Sequence, residues 1–150
     1  MESKPKLIIF EGPDKSGKST LFQMYRRATK YSPLAIERFT GSNYVYDKHY
    51  RRSSNLDLYL NKEEEVQAIF DCYLILLLAP VEVLRERIMA QEVGEAKDIA
   101  LENFEEIVNL FVDYYTFDTR YKKKKLVFTD RVSPETALQI ILAVTGERRS

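Results

Sequence analysis

The stretch that decides the fold lies near the start of the chain and reads Gly12-Pro13-Asp14-Lys15-Ser16-Gly17-Lys18-Ser19. It matches G-x-x-x-x-G-K-S, the Walker A pattern of a phosphate-binding loop. Glycines permit backbone angles that a Cβ would obstruct, so successive N–H groups can turn inward and, with the positive end of the next helix, surround phosphate oxygens. In this pattern Lys18 reaches the β- and γ-phosphates, and the Ser19 hydroxyl can bind Mg²⁺. The stretch therefore predicts a nucleotide phosphate site.

The segments on either side of the loop agree with this interpretation. Residues 7–10, Leu-Ile-Ile-Phe, form a short apolar run with the length and β-branched content of a strand. After the lysine, Leu21, Met24 and Tyr25 are spaced i, i+3 and i+4, which indicates a helix over 19–27. The order strand, glycine loop, helix is the context that supports the motif.

Length and charge limit the class of protein. With 150 residues, the chain is expected to form a single domain, 1–150. Lys plus Arg and Asp plus Glu both number 23, so the net charge is zero and gives no electrostatic reason to expect nucleic acid or a membrane as a partner. The single cysteine, Cys72, fits a reducing, cytoplasmic setting and is expected to be a core residue. Residues 1–6 are too polar for a signal peptide.

Four short apolar runs alternate with amphipathic segments. They lie at 7–10, 34–36, 72–78 and 126–129. The run 72–78 is apolar throughout, as a central strand of a parallel sheet should be. Pro80 and Ser133 mark the starts of helices, the second with Pro134 at its first position. The alternation predicts an α/β fold, a three-layer α/β/α domain of the P-loop NTPase type, with a mostly parallel sheet of about four or five strands.

The segments between these runs are expected to be mostly helical. A helix is predicted over 43–60 with a polar break near 53–55, and Asn61 is expected to cap the next helix. Residues 91–98 are polar, which predicts a loop or lid, with 89–98 as the candidate lid segment. A long amphipathic helix is expected to follow.

A second group of chemically active side chains follows the second apolar run. Because the carboxyl ends of parallel strands meet at one edge of a sheet, Glu37 and Arg38 are expected beside the loop, with Phe39, Ser42 and Tyr46 close by. A guanidinium can hold a phosphate through two parallel N–H donors, which suits Arg38 to an acceptor phosphate. A carboxylate can hold Mg²⁺ directly or through water, which suits Glu37. The structural alternative is an exposed ion pair beside a core aromatic residue.

These motifs resemble the thymidylate kinase family of P-loop nucleoside monophosphate kinases. Residues 10–20 are similar to the family pattern F-E-G-x-D/E-x-x-G-K-S/T-T, and residues 37–46 resemble D-R-Y/F-x-x-S-x-x-x-Y. Residues 78–88 resemble the family's strand, proline and helix that ends in arginine before the lid, and residues 127–141 resemble its last strand and helix. The resemblance covers most of the chain, whose compact form is similar to bacteriophage-encoded members.

The resemblance implies the residues that contact ATP and Mg²⁺. The ATP site would consist of Gly12, Pro13, Asp14, Lys15, Ser16, Gly17, Lys18, Ser19, Thr20 and Arg87. Lys15 stands where some members carry a catalytic arginine, and it would cover the phosphoryl group in flight. Mg²⁺ would be held by Ser19 and Glu37, and Arg87 would lie near ATP at the base of the lid.

The resemblance also implies an acceptor side and a reaction. The acceptor would contact Asp14, Arg38, Phe39, Ser42 and Tyr46, with Arg38 on its phosphate. The reaction would be ATP- and Mg²⁺-dependent transfer of the γ-phosphoryl group to a deoxynucleoside monophosphate, with dTMP as the first acceptor to consider. The family also implies a homodimer.

This reaction requires no general base, because a phosphomonoester oxygen is already anionic. Catalysis then consists of positioning and of charge neutralisation by Mg²⁺, Lys15, Lys18 and Arg38. The single histidine, His49, is accordingly expected to be a partly exposed helix residue and not a catalyst.

Two departures from the family pattern leave alternatives open. Glu37 stands where the family has aspartate, and only residues 20–36 separate the two motifs, where the family has further elements that surround the acceptor. A deoxynucleoside kinase is one alternative, since Glu37-Arg38-Phe39-x-x-Ser42 is similar to E-R-S-x-x-S, although its general base would fall in the shortened segment. A nucleotide-binding module without transfer activity is another. A GTPase is disfavoured because no N/T-K-x-D motif is visible.

Overall fold

The computed structural model describes residues 3–51, 55–91 and 93–150. Its strands are β1 (Lys6–Glu11), β2 (Leu34–Glu37), β3 (Asp71–Leu78) and β4 (Lys124–Phe128). Its helices are α1 (Lys18–Ala28), α2 (Thr40–Tyr46), α3 (Leu56–Ile69), α4 (Val81–Gln91), α5 (Gly94–Asp113) and α6 (Pro134–Thr145). The π-helical segments Asp47–Arg51 and Tyr114–Asp118 follow α2 and α5.

The four strands found in the described residues form one parallel sheet in the order β2-β1-β3-β4. The central strand β1 pairs on both sides, so that Phe10 lies opposite Glu37 of β2 and opposite Ile75 of β3. The predicted α/β fold is confirmed, with four strands in the part of the chain that the structure describes. The register brings the carboxyl ends of β1 and β2 to the same edge of the sheet.

Each face of the sheet is covered by helices because the apolar side chains of β1 and β3 alternate. One face packs against α1 and α6 through a cluster that contains Ile8, Phe10, Ile75, Leu77, Phe22, Tyr25, Leu138 and Ile141. The other face packs against α2, α3 and α5 through a cluster that contains Leu7, Ile9, Leu74, Leu76, Tyr44, Tyr59, Phe111 and Tyr114. The result is the expected three-layer arrangement.

Local signals in the sequence set several helix and strand positions correctly. Ser133 caps α6, since its hydroxyl accepts a hydrogen bond from the Thr136 N–H at 3.1 Å, and Pro134 occupies the first turn. The apolar run 72–78 is the buried strand β3, and Cys72 is a core residue whose thiol pKa is raised to about 11 by burial. Within the described residues, no helix combines the length and apolar character needed to cross a bilayer.

The region between β2 and β3 differs from the prediction. α2 begins at Thr40, three residues before the predicted start, and α3 begins at Leu56 with Asn55 as its cap, since the Asn55 side chain accepts from the Leu58 N–H at 3.4 Å. Asn61 therefore lies inside α3 and caps nothing. The helix continues through this position because Tyr59, Leu60 and Glu63 are all buried on its inner side. Residues 53 and 54 of the predicted break lie outside the described residues.

The loop predicted over 91–98 is also largely helical. α4 extends to Gln91 and α5 begins at Gly94, so the candidate lid 89–98 consists of the end of one helix and the start of the next. The two helices pack together through a third apolar cluster that includes Leu84, Ile88, Phe104 and Val108, which favours their extension. Residue 92 and the side chains of 95–97 lie outside what the structure describes.

His49 is buried, with 6% of its surface exposed, and not partly exposed as expected. Its Nε2 lies 2.8 Å from Asn103 Oδ1 and its Nδ1 lies 2.9 Å from Glu106 Oε2, both on α5. The histidine thus ties the π-helical segment Asp47–Arg51 to α5. This contact joins residues more than fifty positions apart, which the local pattern does not reveal.

A buried carboxylate joins the elements on the α3 side of the sheet. Glu63 is fully buried and accepts hydrogen bonds from the Thr40 hydroxyl at 2.8 Å, the Thr119 hydroxyl at 2.6 Å, the Arg120 N–H at 2.8 Å and the Tyr114 hydroxyl. A buried carboxylate is tolerated only when its oxygens are satisfied in this way. Glu63 therefore holds α2, α3 and the end of α5 together.

We expect Glu63→Gln to lower the free energy of unfolding by about 2–4 kcal/mol, because an amide nitrogen cannot accept the bonds that one carboxylate oxygen now accepts. Urea denaturation of both proteins measures the difference. The matched control is Glu64→Gln, which changes an exposed neighbour paired with Arg120 at 2.8 Å and should alter stability by about 0.5 kcal/mol or less. Equal effects of the two substitutions would contradict the assigned role.

Candidate functional site

The sheet ends at a cleft of about 430 Å³ on the side of the strand carboxyl ends. Residues following β1, β2 and β4 line this cleft together with the end of α4. The predicted site residues that line it are Pro13, Asp14, Lys15, Gly17, Lys18, Ser19, Thr20, Arg38 and Arg87. The lining also includes Leu21, Gln91, Thr129, Val132, Pro134 and Ala137. The topology thus brings both sequence motifs to one cleft.

The loop 12–19 is a tight turn against the sheet. Gly12 has a φ of 150°, and a Cβ at this position would lie 2.3 Å from the Leu77 carbonyl oxygen, so only glycine fits. Gly17 has a φ of 90° and caps α1, the helix that begins with Lys18. The Ser16 hydroxyl oxygen is buried in this loop and has no hydrogen-bond partner among the described residues. An unsatisfied buried hydroxyl beside a helix N-terminus is what an anion-binding loop would present.

Lys18 is buried in the loop, with 4% of its surface exposed. Its ammonium group donates to the Gly12 carbonyl oxygen at 3.0 Å. Burial lowers the pKa of Lys18, and the nearby Arg38 guanidinium acts in the same direction, against the opposing effect of the carboxylates of Glu11, Asp14 and Glu37. A buried ammonium group with a lowered pKa would be stabilised by a bound anion.

The outer side of the loop is held by two residues that follow β3 and β4. Arg87 donates to the Lys15 carbonyl oxygen at 2.7 Å and to the Thr129 hydroxyl at 3.1 Å. Thr129 donates in turn to the Ser16 carbonyl oxygen at 2.7 Å. The carbonyl oxygens of Lys15 and Ser16 thus both accept hydrogen bonds from residues outside the loop. These bonds hold Lys15 in a left-handed backbone conformation with a φ of 68°. The motif did not indicate Thr129, whose contact with the loop spans more than one hundred residues.

Arg38 lines the same cleft as the loop and contacts it. Its guanidinium donates to the Asp14 carboxylate at 3.1 Å, and both side chains remain half exposed, at 52% and 67%. Tyr46 lies nearby, stacked on Tyr50 with ring centroids 6.0 Å apart, and burial followed by the Asp14 charge raises its pKa to about 12. Arg38, directly after β2, is thus an exposed cation that contacts the loop through Asp14.

Ser42 and Phe39 are placed behind Arg38 and not in the lining of the cleft. The Ser42 hydroxyl donates to Glu11 at 2.7 Å, and Phe39 packs partly buried against the core. Glu11, the last residue of β1, belongs to the motif at residues 10–20, which predicts no role for it. The sequence signals for it are its place in that motif and its position directly after the apolar run 7–10.

Two oxygen donors at the edge of the cleft suit a divalent cation. The Ser19 hydroxyl donates to the Glu37 carboxylate at 3.2 Å, and both side chains reach solvent. Among the described residues, no group of three His, Cys, Asp or Glu side chains could hold a metal alone. Mg²⁺ is commonly bound by one or two protein oxygens together with substrate phosphates and water. Ser19 and Glu37 fit that donor set.

The comparison with known proteins rests on solved structures. No protein-family model matches the chain, and no curated protein matches it in sequence. The structure of the Bacillus subtilis YorR protein in complex with phosphorylated GDP has a TM-score of 0.73 and 22% identity, over 93% of this chain and 95% of that one. An unliganded sugar kinase from Janibacter has a TM-score of 0.51 and 12% identity, over 97% and 95% of the two chains.

An uncharacterised protein from Eubacterium ventriosum also has a TM-score of 0.51, with 12% identity over 96% of this chain and all of that one. At these identities the likenesses show a shared fold. The chain therefore shares the α/β fold of these structures. Membership of the thymidylate kinase family stays a prediction.

We expect Thr129→Val to loosen the loop, because valine keeps the shape of threonine and removes the hydroxyl that bonds the Ser16 carbonyl and accepts from Arg87. Amide hydrogen exchange at residues 14–17 should accelerate about tenfold. Thr116→Val is the control, since Thr116 is exposed on the segment Tyr114–Asp118 and does not line the cleft. Unchanged exchange in Thr129→Val would show that Arg87 alone holds the loop.

Proposed function

We propose that this protein is an ATP- and Mg²⁺-dependent kinase that transfers the γ-phosphoryl group to a nucleoside monophosphate, with dTMP as the first acceptor to test. The observation that carries the proposal is the shared cleft, which is lined both by residues of the loop 12–19 and by Arg38. A donor phosphate on the loop and an acceptor phosphate on Arg38 would then lie in the same space. In-line transfer between two phosphates requires this arrangement.

The donor side is supported by the character of the loop. The N-terminus of α1, the buried ammonium group of Lys18 and the unpartnered Ser16 hydroxyl all favour an anion at this position. On a triphosphate, Lys18 would leave the Gly12 carbonyl and contact the β- and γ-phosphates. Lys15, which lines the cleft, would neutralise charge on the phosphoryl group during transfer.

The acceptor side is supported by Arg38 and its ion pair with Asp14. An exposed ion pair contributes little to stability, so exchanging the Asp14 carboxylate for a substrate phosphate costs little. A guanidinium can bind that phosphate through two parallel hydrogen bonds. Tyr46, close to Asp14, would border the acceptor's sugar or base.

Ser19 and Glu37 would hold Mg²⁺, which, when bound, supplies positive charge to the phosphates. Because a phosphate acceptor is anionic, the chain's own contribution is to bind, orient and neutralise charge. Arg87 would contribute by keeping the loop in shape through the Lys15 carbonyl. The YorR structure, whose ligand is phosphorylated GDP, supports including guanine nucleotides among the donors and acceptors tested.

The decisive experiment is a screen of the purified protein with MgATP or MgGTP and each ribo- and deoxynucleoside monophosphate, with diphosphate products resolved by chromatography. A diphosphate from at least one monophosphate is the expected result. Phosphorylation of thymidine or another nucleoside alone would indicate a deoxynucleoside kinase. Nucleotide binding by calorimetry, with no product from any acceptor, would indicate a binding module without transfer activity.

We expect Lys18→Ala to reduce kcat about a thousandfold or more, because the charge that stabilises the transferred phosphoryl group is removed. Removing a buried ammonium group should not destabilise the fold, which thermal denaturation checks. Lys62→Ala, at an exposed position of α3, is the control and should retain full turnover. A Lys18→Ala variant with normal kcat would disprove the kinase assignment.

We expect Arg38→Ala to raise the KM of the monophosphate about ten- to a hundredfold, with the KM of ATP changed about twofold or less, because a two-bond phosphate contact is lost only on the acceptor side. Arg85→Ala is a matched control, since Arg85 also forms an exposed ion pair, with Glu105 at 3.3 Å, and does not line the cleft. Steady-state kinetics with each substrate varied in turn measures both constants. Equal increases for the two substrates would refute the acceptor role of Arg38.

A further inference from the structure

We propose that Glu11 is a positioning residue for Arg38. Its buried carboxylate holds the N-terminus of α2, and this keeps the backbone of Arg38 in the conformation that directs the guanidinium into the cleft. The inference rests on the proposed function, since it assigns the residue that makes the acceptor-binding arginine effective. Glu11 does not line the cleft and acts through Arg38.

Glu11 is fully buried and all of its accepting capacity is used. Oε1 accepts from the Phe39 N–H at 2.8 Å and from the Ser42 hydroxyl at 2.7 Å. Oε2 accepts from the Ser42 N–H at 2.7 Å and from the Tyr115 hydroxyl at 2.5 Å. Three of these four donors belong to the start of α2, so the end of β1 and the start of α2 are one hydrogen-bonded unit.

α2 needs this carboxylate because its own sequence offers no cap. The residue at the cap position is Phe39, which has no polar side-chain atom, and the N–H groups of a first helical turn have no partners within the helix. Glu11, at the end of β1, supplies the missing acceptor. Its negative charge lies at the N-terminus of α2, where negative charge is favoured.

Two hydrogen bonds to β1 fix the backbone at Arg38. Its own N–H donates to the Phe10 carbonyl oxygen at 3.0 Å, and the next N–H, that of Phe39, donates to the Glu11 carboxylate. Arg38 has a φ of 63°, a left-handed conformation that a residue with a Cβ adopts only when its surroundings impose it. Two successive residues of β1 thus impose the backbone conformation from which the Arg38 side chain reaches Asp14.

The glycine at position 41 leaves room for the Tyr115 side chain to reach Glu11. A Cβ on Gly41 would lie 1.9 Å from the Tyr115 hydroxyl oxygen, so glycine at this position gives the tyrosine its path to the carboxylate. Burial, followed by the Glu11 charge, raises the pKa of Tyr115 well above its usual value. Tyr115 therefore stays protonated and donates to Glu11 at any pH at which the enzyme would be assayed.

The test compares Glu11→Gln with Glu63→Gln, which makes the same change in the other fully buried carboxylate of the described chain that bonds to the start of α2. Glutamine keeps the shape of glutamate, but its amide nitrogen cannot accept the bonds that one Glu11 oxygen now accepts. We expect the KM of the monophosphate to rise about tenfold in Glu11→Gln, with the KM of ATP changed about twofold or less. Glu63→Gln should change neither constant by more than about twofold. The same kinetic pattern in both variants, or equal increases for both substrates in Glu11→Gln, would overturn the proposal.

A double-mutant cycle shows whether Glu11 acts through Arg38. In an Arg38→Ala background, Glu11→Gln should raise the acceptor KM by about twofold or less, because the side chain that it positions is gone. If the increases in acceptor KM caused by the two single substitutions multiply fully in the double variant, the proposal is overturned. Tyr115→Phe removes one of the four donors and should give a smaller shift in the same direction as Glu11→Gln.

A spectroscopic readout remains decisive even if no monophosphate is phosphorylated and the proposed function fails. In ¹⁵N-labelled protein, Glu11→Gln should shift the Arg38 Nε–H and Phe39 amide signals, whereas Glu63→Gln should leave the Arg38 Nε–H signal in place. If the Arg38 signal is unchanged in Glu11→Gln, the positioning role is wrong whatever the enzyme's activity. If it moves but no acceptor is phosphorylated, only the proposed function fails.

Discussion

The parallel pairing of β1 with a strand on each side is the constraint on which the site depends. Phe10, near the end of β1, lies opposite Glu37 on one side and Ile75 on the other, so the segments after β1 and β2 leave the sheet at the same level. Without this register the loop 12–19 and Arg38 would not share a cleft. Apolar burial on both faces maintains the register, because a shift by one residue would turn Ile8 and Ile9 to the wrong faces.

Two buried carboxylates bond to α2, and Glu11 also bonds to the residue directly after Arg38. Glu11 bonds the start of α2, and Glu63 bonds α2 to the end of α5. A short second strand and a seven-residue helix would hold an arginine poorly by themselves. Glu11 compensates through its bond to the Phe39 N–H, since a buried carboxylate whose oxygens are all satisfied specifies a single arrangement. A chain with few residues between its two motifs can in this way still direct Arg38 at the cleft.

The residues of the cleft differ in the kind of contact that they make. Lys18 is buried against the Gly12 carbonyl, whereas Arg38 is half exposed in an ion pair with Asp14. The first cation is preorganised within the loop, and the second can exchange a weakly bound carboxylate for a ligand. Arg87 and Thr129 make a third kind of contact, because they donate hydrogen bonds to backbone carbonyls of the loop. Under the proposed function, this division would assign phosphate binding, acceptor binding and loop support to different residues of one cleft.

The sequence by itself determined the α/β class, the buried strand β3, the cap at Ser133 and the loop 12–19, because each depends on residues close together in the chain. It also placed Arg38 beside the loop, since parallel strands bring their carboxyl ends to one edge. Only the tertiary structure decided the start of α2, the helical form of 94–98, the burial of His49 and the roles of Glu11 and Thr129. Each of these depends on contacts between residues far apart in the chain, such as a carboxylate of β1 that caps a helix 28 or more positions later. Local patterns cannot encode such contacts, because hydrogen bonding and burial there depend on which elements become neighbours in the folded chain.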